Sequence, residues 1–75
     1  MLGELDMLKS RIKVRLAELE ISQTELAEKM GVTKQTMNAW VNGRMKPPLE
    51  TAFKISRLLN CKVDDLWEYK DEEKY

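Results

Sequence analysis

Hydrophobic and polar positions divide residues 22–43, SQTELAEKMGVTKQTMNAWVNG, into two short amphipathic helices joined at Gly31. In the first, Leu26, Ala27 and Met30 fall on one face at helical spacing. Ser22 followed by Glu25 forms a capping box, and Ile21 before the cap staples to Leu26. Gly31 stands where a left-handed stop is needed. Thr33 caps the second helix, with Val32 and Met37 as its staple. Upstream, Leu8, Ile12, Leu16 and Leu19 predict an earlier helix. Leu2 and Leu5 continue its stripe, so it begins near Leu5 or Asp6, or these residues form an arm. Downstream, Leu49, Ala52, Phe53, Ile55, Leu58 and Leu59 make a wide stripe over residues 49 to about 59, which predicts the central buried helix. Asn60 supplies its left-handed stop, and Asp64 caps a last short helix that carries Trp67 and Tyr69.

Two capped helices so close in sequence must cross steeply, as in a helix-turn-helix. On the second, Met37, Trp40 and Val41 share the inward side, so Trp40 is read as core rather than as a stacking platform. Lys34, Gln35, Asn38 and Asn42 occupy a separate polar arc. Gln bonds an adenine edge through two contacts, Lys reaches guanine acceptors, and Asn serves bases or phosphates. Lys34 and Gln35 lie at the N-terminal end, the end that enters the major groove when such a motif docks, and the Ala39 methyl flanks the arc where a thymine methyl could meet it. Pro47 and Pro48 stop the helix from continuing, and the Arg44 and Lys46 cations in that loop suit phosphates.

The residues that carry this reading also resemble a known family. Gln23 with Leu26 and Ala27, then Gly31-Val32-Thr33, Gln35, Trp40, Asn42-Gly43, Pro47, Leu49-Glu50, Lys54-Ile55, Leu58-Leu59 and Asp64-Asp65-Leu66 resemble the XRE-type helix-turn-helix regulators, the family of the phage repressors and Cro proteins. The likeness covers roughly residues 12–67. It implies a lambda-repressor-like DNA-binding domain in which Gln23 contacts a phosphate and braces the reading helix. Lys34, Gln35 and Ala39 would face bases, with Asn38 in the same set, while Thr33, Asn42 and the following loop would hold the backbone. Arg11 and Lys13 come near the DNA backbone by the same likeness, although a solvated face is the plainer reading of Lys9, Arg11, Lys13 and Arg15. Two positions depart from the pattern: Glu20 replaces the usual glycine before the capped serine, and Pro48 replaces a capping serine, which places proline in the first turn of the next helix.

Composition narrows the choice. A chain of 75 residues makes one small domain, 1–75, with its core over about 8–69 and a charged, frayed tail at 70–75. One cysteine and no histidine exclude disulfide and ordinary zinc frameworks, and they leave no nucleophile–base pair, so neither an enzyme nor a metal or cofactor site is expected. Cys61 reads as a small core filler. The absence of a long apolar run or a basic leader argues for a cytoplasmic chain without membrane contact. Thirteen basic residues balance 13 acidic ones, which argues against DNA until their order is considered. Residues 34–62 hold six basic and one acidic side chain, whereas 63–75 hold six acidic and two basic. That segregation suits a basic reading face with an acidic far side.

The expected fold is therefore all-α, a compact five-helix bundle. The expected function is a sequence-specific double-stranded DNA-binding regulator, a repressor by its small size, working as a homodimer on paired half-sites about 34 Å apart. Trp67 and Tyr69 are the candidates for the dimer interface, with core cover as the alternative for both, more so for Trp67. Two rivals use the same scaffold: a protein-interaction module, and an antitoxin subunit that also holds a toxin.

Overall fold

The computed structural model describes residues 8–69. In chain order these form β1 (Leu8–Ser10), α1 (Ile12–Leu19), α2 (Gln23–Met30), α3 (Lys34–Asn42), α4 (Leu49–Leu58), α5 (Val63–Leu66) and β2 (Trp67–Tyr69). All five helices are present, but the fold is not purely α. β1 and β2 pair antiparallel, with Leu8 opposite Tyr69, Lys9 opposite Glu68 and Ser10 opposite Trp67. The Arg11 amide continues the connection by donating to the Leu66 carbonyl at 2.7 Å. Leu8 thus belongs to a strand, and the first helix begins at Ile12 rather than near Leu5 or Asp6. Apolar residues four apart fit a helix, yet Leu8-Lys9-Ser10 also alternates inward and outward as a strand does. The distant partner at residues 67–69 decides between them. Leu2, Leu5 and the tail at 70–75 lie outside the described residues.

Local chemistry explains most of the helix ends. Ser22 Oγ accepts the Glu25 amide at 2.9 Å, and Thr33 Oγ1 accepts the Thr36 amide at 3.1 Å. Gly31 and Gly43 close α2 and α3 with φ of 72° and 81°, values that a side chain would strain. Glu20 closes α1 in the same left-handed way at φ 58°, without glycine's freedom. Asn60 takes φ 56° after α4, as the sequence leads one to expect. Two start signals differ from expectation. Pro48 precedes the first residue of α4 as its N-cap instead of lying in the first turn. At α5 the capping side chain is Asp65, which accepts the Lys62 amide at 3.0 Å; Asp64 does not cap.

The core gathers Ile12 and Leu16 of α1, Leu26 and Ala27 of α2, Met37, Trp40 and Val41 of α3, Ala52 and Ile55 of α4, then Leu59, Leu66 and Trp67. Each large aliphatic side chain buried here contributes about 1.5–3 kcal/mol. α4 is less enclosed than its stripe suggests. Ala52, Ile55 and Ser56 are buried, but Leu49, Phe53 and Leu58 are 72%, 53% and 43% exposed, because a ten-residue helix lying on the core covers only one side of itself. Ser56 satisfies its buried hydroxyl by donating to the Phe53 carbonyl at 2.8 Å. Arg15 is not a solvated side chain. Its guanidinium donates to the carbonyls of Leu59 at 3.0 Å and Asn60 at 3.1 Å, tying α1 to the end of α4. Cys61 is half-buried against the core, and burial pushes its thiol up from the ordinary value against the opposing pull of Arg15. No helix among the described residues is long and apolar enough to cross a membrane.

Candidate nucleic-acid interface

The caps at Ser22 and Thr33 fix where α2 and α3 begin, and the buried faces of both helices fix their rotation. What remains outward on α3 is the polar arc. Lys34 and Gln35 are exposed in its first turn, Asn42 is exposed at its end, and Asn38 between them is half-buried. Asn38 is the hub. Its carboxamide oxygen accepts from Gln23 Nε2 at 3.2 Å and from Asn42 Nδ2 at 3.2 Å. The first residue of α2 is thereby joined to the middle and the end of α3.

A shallow cleft of about 320 Å³ lies along this junction, lined by Gln23, Thr24, Lys34, Gln35 and Asn38. Four of these side chains are expected from the sequence. Thr24 is not, and its signal is only its place one residue after Gln23 in the first turn of α2. Among the other candidates, Ala39 is 8% exposed and offers a base little surface. The Thr33 hydroxyl is already engaged, accepting from the Thr36 amide and donating to Thr36 Oγ1 at 2.9 Å.

Arg44 and Lys46 are exposed in the loop after α3, whose course is fixed by the Arg44 and Met45 amides donating to the Ala39 carbonyl at 2.9 and 3.2 Å. Lys13 is exposed on α1. Arg11 is exposed as well, but it pairs with Glu68 at 3.5 Å, which offsets part of its charge. Trp67, 8% exposed, is part of the core and starts β2 rather than ending a helix. Tyr69 on the same strand is 63% exposed. Trp40, 6% exposed, is core as expected.

The sequence pattern that defines the helix-turn-helix family matches residues 12–66, from the start of α1 to the end of α5. The chain belongs to the XRE-type helix-turn-helix family. Curated relatives agree along nearly the whole length. The chain is 36% identical over 66 residues to an uncharacterised HTH-type transcriptional regulator of Methanocaldococcus jannaschii, covering 88% of this chain and 100% of that protein. It is 42% identical over 61 residues to another from Methanothermobacter thermautotrophicus, covering 80% of this chain and 88% of that protein. Among solved structures, a candidate DNA-binding protein from Bacteroides fragilis superposes with a TM-score of 0.77 at 35% identity, over 83% of this chain and 100% of that one. In helix-turn-helix docking the second helix of the motif is the one that enters the major groove, and α3 is the second helix here.

Proposed function

We propose that this helix-turn-helix chain is a sequence-specific double-stranded DNA-binding transcriptional regulator that inserts α3 into the major groove. The observation that carries the reading is the joined carboxamide set of Gln23, Asn38 and Asn42, which steadies the outer face of α3 beside the exposed Lys34 and Gln35. Ordered polar groups discriminate between bases better than mobile ones, because less freedom is lost on binding. In this reading Lys34, Gln35 and Asn38 meet base edges. Gln23, Asn42, Arg44 and Lys46 hold phosphates, with Thr33, Lys13 and Arg11 as minor contributors to the backbone field.

In this reading the chain represses by occluding a promoter in the cytoplasm. The active form is a homodimer, supported by the exposed apolar side chains Leu49, Phe53 and Tyr69. Selection of bound duplexes from a random pool, repeated at two salt concentrations, tests the proposal. A twofold-symmetric enriched motif with steep salt dependence is expected. An unenriched pool sinks it, and the search then turns to a protein partner such as a toxin.

A further inference from the structure

α4 and α5 leave an open groove between them, made of two clefts that follow one another along α4. One, of about 360 Å³, is lined on the α4 side by Leu49 and Ala52; the other, of about 450 Å³, by Phe53, Ser56 and Arg57. Val63 and Asp64 of α5 line both. Ala52 and Ser56 are buried, so these two small residues form the floor, while Leu49 and Phe53 stand exposed at the rim. Leu49, Phe53 and Arg57 follow one another at four-residue steps and share one side of α4, which makes a ridge beside the groove. A twofold axis sets a surface against a second copy of itself, and every contact then occurs twice. A ridge beside a groove fits its own copy under that operation.

The charges select the same occupant. Arg57 on α4 and Asp64 on α5 line one cleft from its two walls, both are exposed, and neither takes part in an ion pair among the described residues. A copy seated by its ridge carries Arg57, one turn beyond Phe53, against the α5 wall of its partner, where Asp64 stands. Lys62 lines that wall too, two residues before Asp64, so the incoming cation favours the Asp64 end. A partner of a single strong sign would meet one repelling charge, whereas a second copy brings both signs in the matching order. The formal net charge of zero leaves no long-range repulsion between copies. We propose that two copies of this chain meet through the α4–α5 groove, the Leu49–Phe53 ridge of each seated in the groove of the other and Arg57 of each paired with the partner's Asp64. The inference rests on the homodimer reading above and names the face and the contacts that make it.

The test is sedimentation velocity of the full chain without DNA, over a concentration series, on the parent, on Arg57→Glu, on Asp64→Arg and on an equal mixture of these two variants. Both side chains are exposed and outside the core cluster, and circular dichroism checks that helix content is kept. The parent is expected to dimerise. Each variant alone sets like charges together at both contacts and should self-associate about a hundredfold more weakly. In the mixture, the retained Arg57 of one copy faces the retained Asp64 of the other, and the introduced arginine faces the introduced glutamate. A heterodimer close to parental strength should therefore form. The neutral Arg57→Gln and Asp64→Asn, which add no opposing charge near a helix end, should each weaken association by a smaller factor, about tenfold for the two exposed pairs lost. Variants that dimerise like the parent, or a mixture that stays monomeric, overturn the proposal and leave the homodimer reading standing. A parent that stays monomeric overturns both.

Discussion

Asn38 spends its carboxamide oxygen twice, on Gln23 and on Asn42, so what it presents to a duplex is its amide hydrogens. Hydrogens without a matching acceptor read guanine O6 and N7 or thymine O4, whereas the paired donor and acceptor of a free Asn would read adenine. Asn38→Asp tests this directly. The carboxylate still accepts both neighbours, so thermal unfolding should stay within a few degrees, while the charge facing the groove should lower affinity for every duplex. Unchanged affinity would remove Asn38 from the interface.

Gln35 is exposed and free of this network, so Gln35→Ala should cost about 1–3 kcal/mol on the selected site and relax preference at a single base pair. Lys46 differs in kind. A lysine on a phosphate carries no sequence information, so its removal should weaken all duplexes evenly and reduce the salt slope by about one. Comparing the selected motif and the salt slope of both variants separates reading from holding. Identical behaviour would contradict the roles assigned here.

At the scale of elements, Glu20 ends α1 at φ 58° where glycine would carry no steric penalty. Glu20→Gly should therefore stabilise the chain by about 1 kcal/mol, which for a domain of this size raises the melting temperature by roughly 4–8 °C. A lower melting temperature would mean that the glutamate side chain contributes contacts exceeding the strain. The caps at Ser22 and Thr33 and the stops at Gly31 and Asn60 were legible in the sequence, because each is set by a residue and its immediate neighbours; the stop at Gly43 and the left-handed turn at Glu20 come from the structure.

The two strands were not legible, since Leu8 pairs with Tyr69 across the whole helical part of the fold, and no local pattern reports so distant a partner. The same distance hid two of the contacts of Arg15, whose carbonyl acceptors, Leu59 and Asn60, lie more than forty residues away at the end of α4. At the interface, the polar arc of α3 could be read from its period, but the joining of Gln23 to Asn38 depends on the crossing of two helices. Ala39 looked available because periodicity gives the direction of a side chain and not the packing around it.

For the whole molecule, the question is what covers the apolar surface that the fold leaves outside. Leu49 and Phe53, one turn apart on α4, are 72% and 53% exposed, and Tyr69 on β2 is 63% exposed. A cleft of about 360 Å³ runs beside Leu49 and Tyr69, where Leu8, Val63 and Trp67 meet the charged Lys46 and Asp64; Phe53 does not line it. Trp67 reaches it from the core, so the two aromatics of β2 differ: Trp67 belongs to the fold, and Tyr69 is left exposed. Substitutions at Trp67 and at Phe53 should give opposite results. Trp67→Ala removes a side chain from the core cluster and should cost about 3–5 kcal/mol, enough to threaten folding in so small a domain.

Phe53→Asp removes apolar surface and adds a charge that an apolar interface would have to desolvate, yet its side chain lies outside the core cluster. It should leave the melting temperature of the isolated chain nearly unchanged and shift sedimentation toward the monomer. With it goes the gain from binding two half-sites at once, so affinity for the symmetric site should fall much more than affinity for a single half-site. Sedimentation velocity over a concentration series, with both proteins on both duplexes, measures all of this. If Phe53→Asp sediments like the parent and binds the symmetric site as tightly, the exposed face of α4 is not where two copies meet.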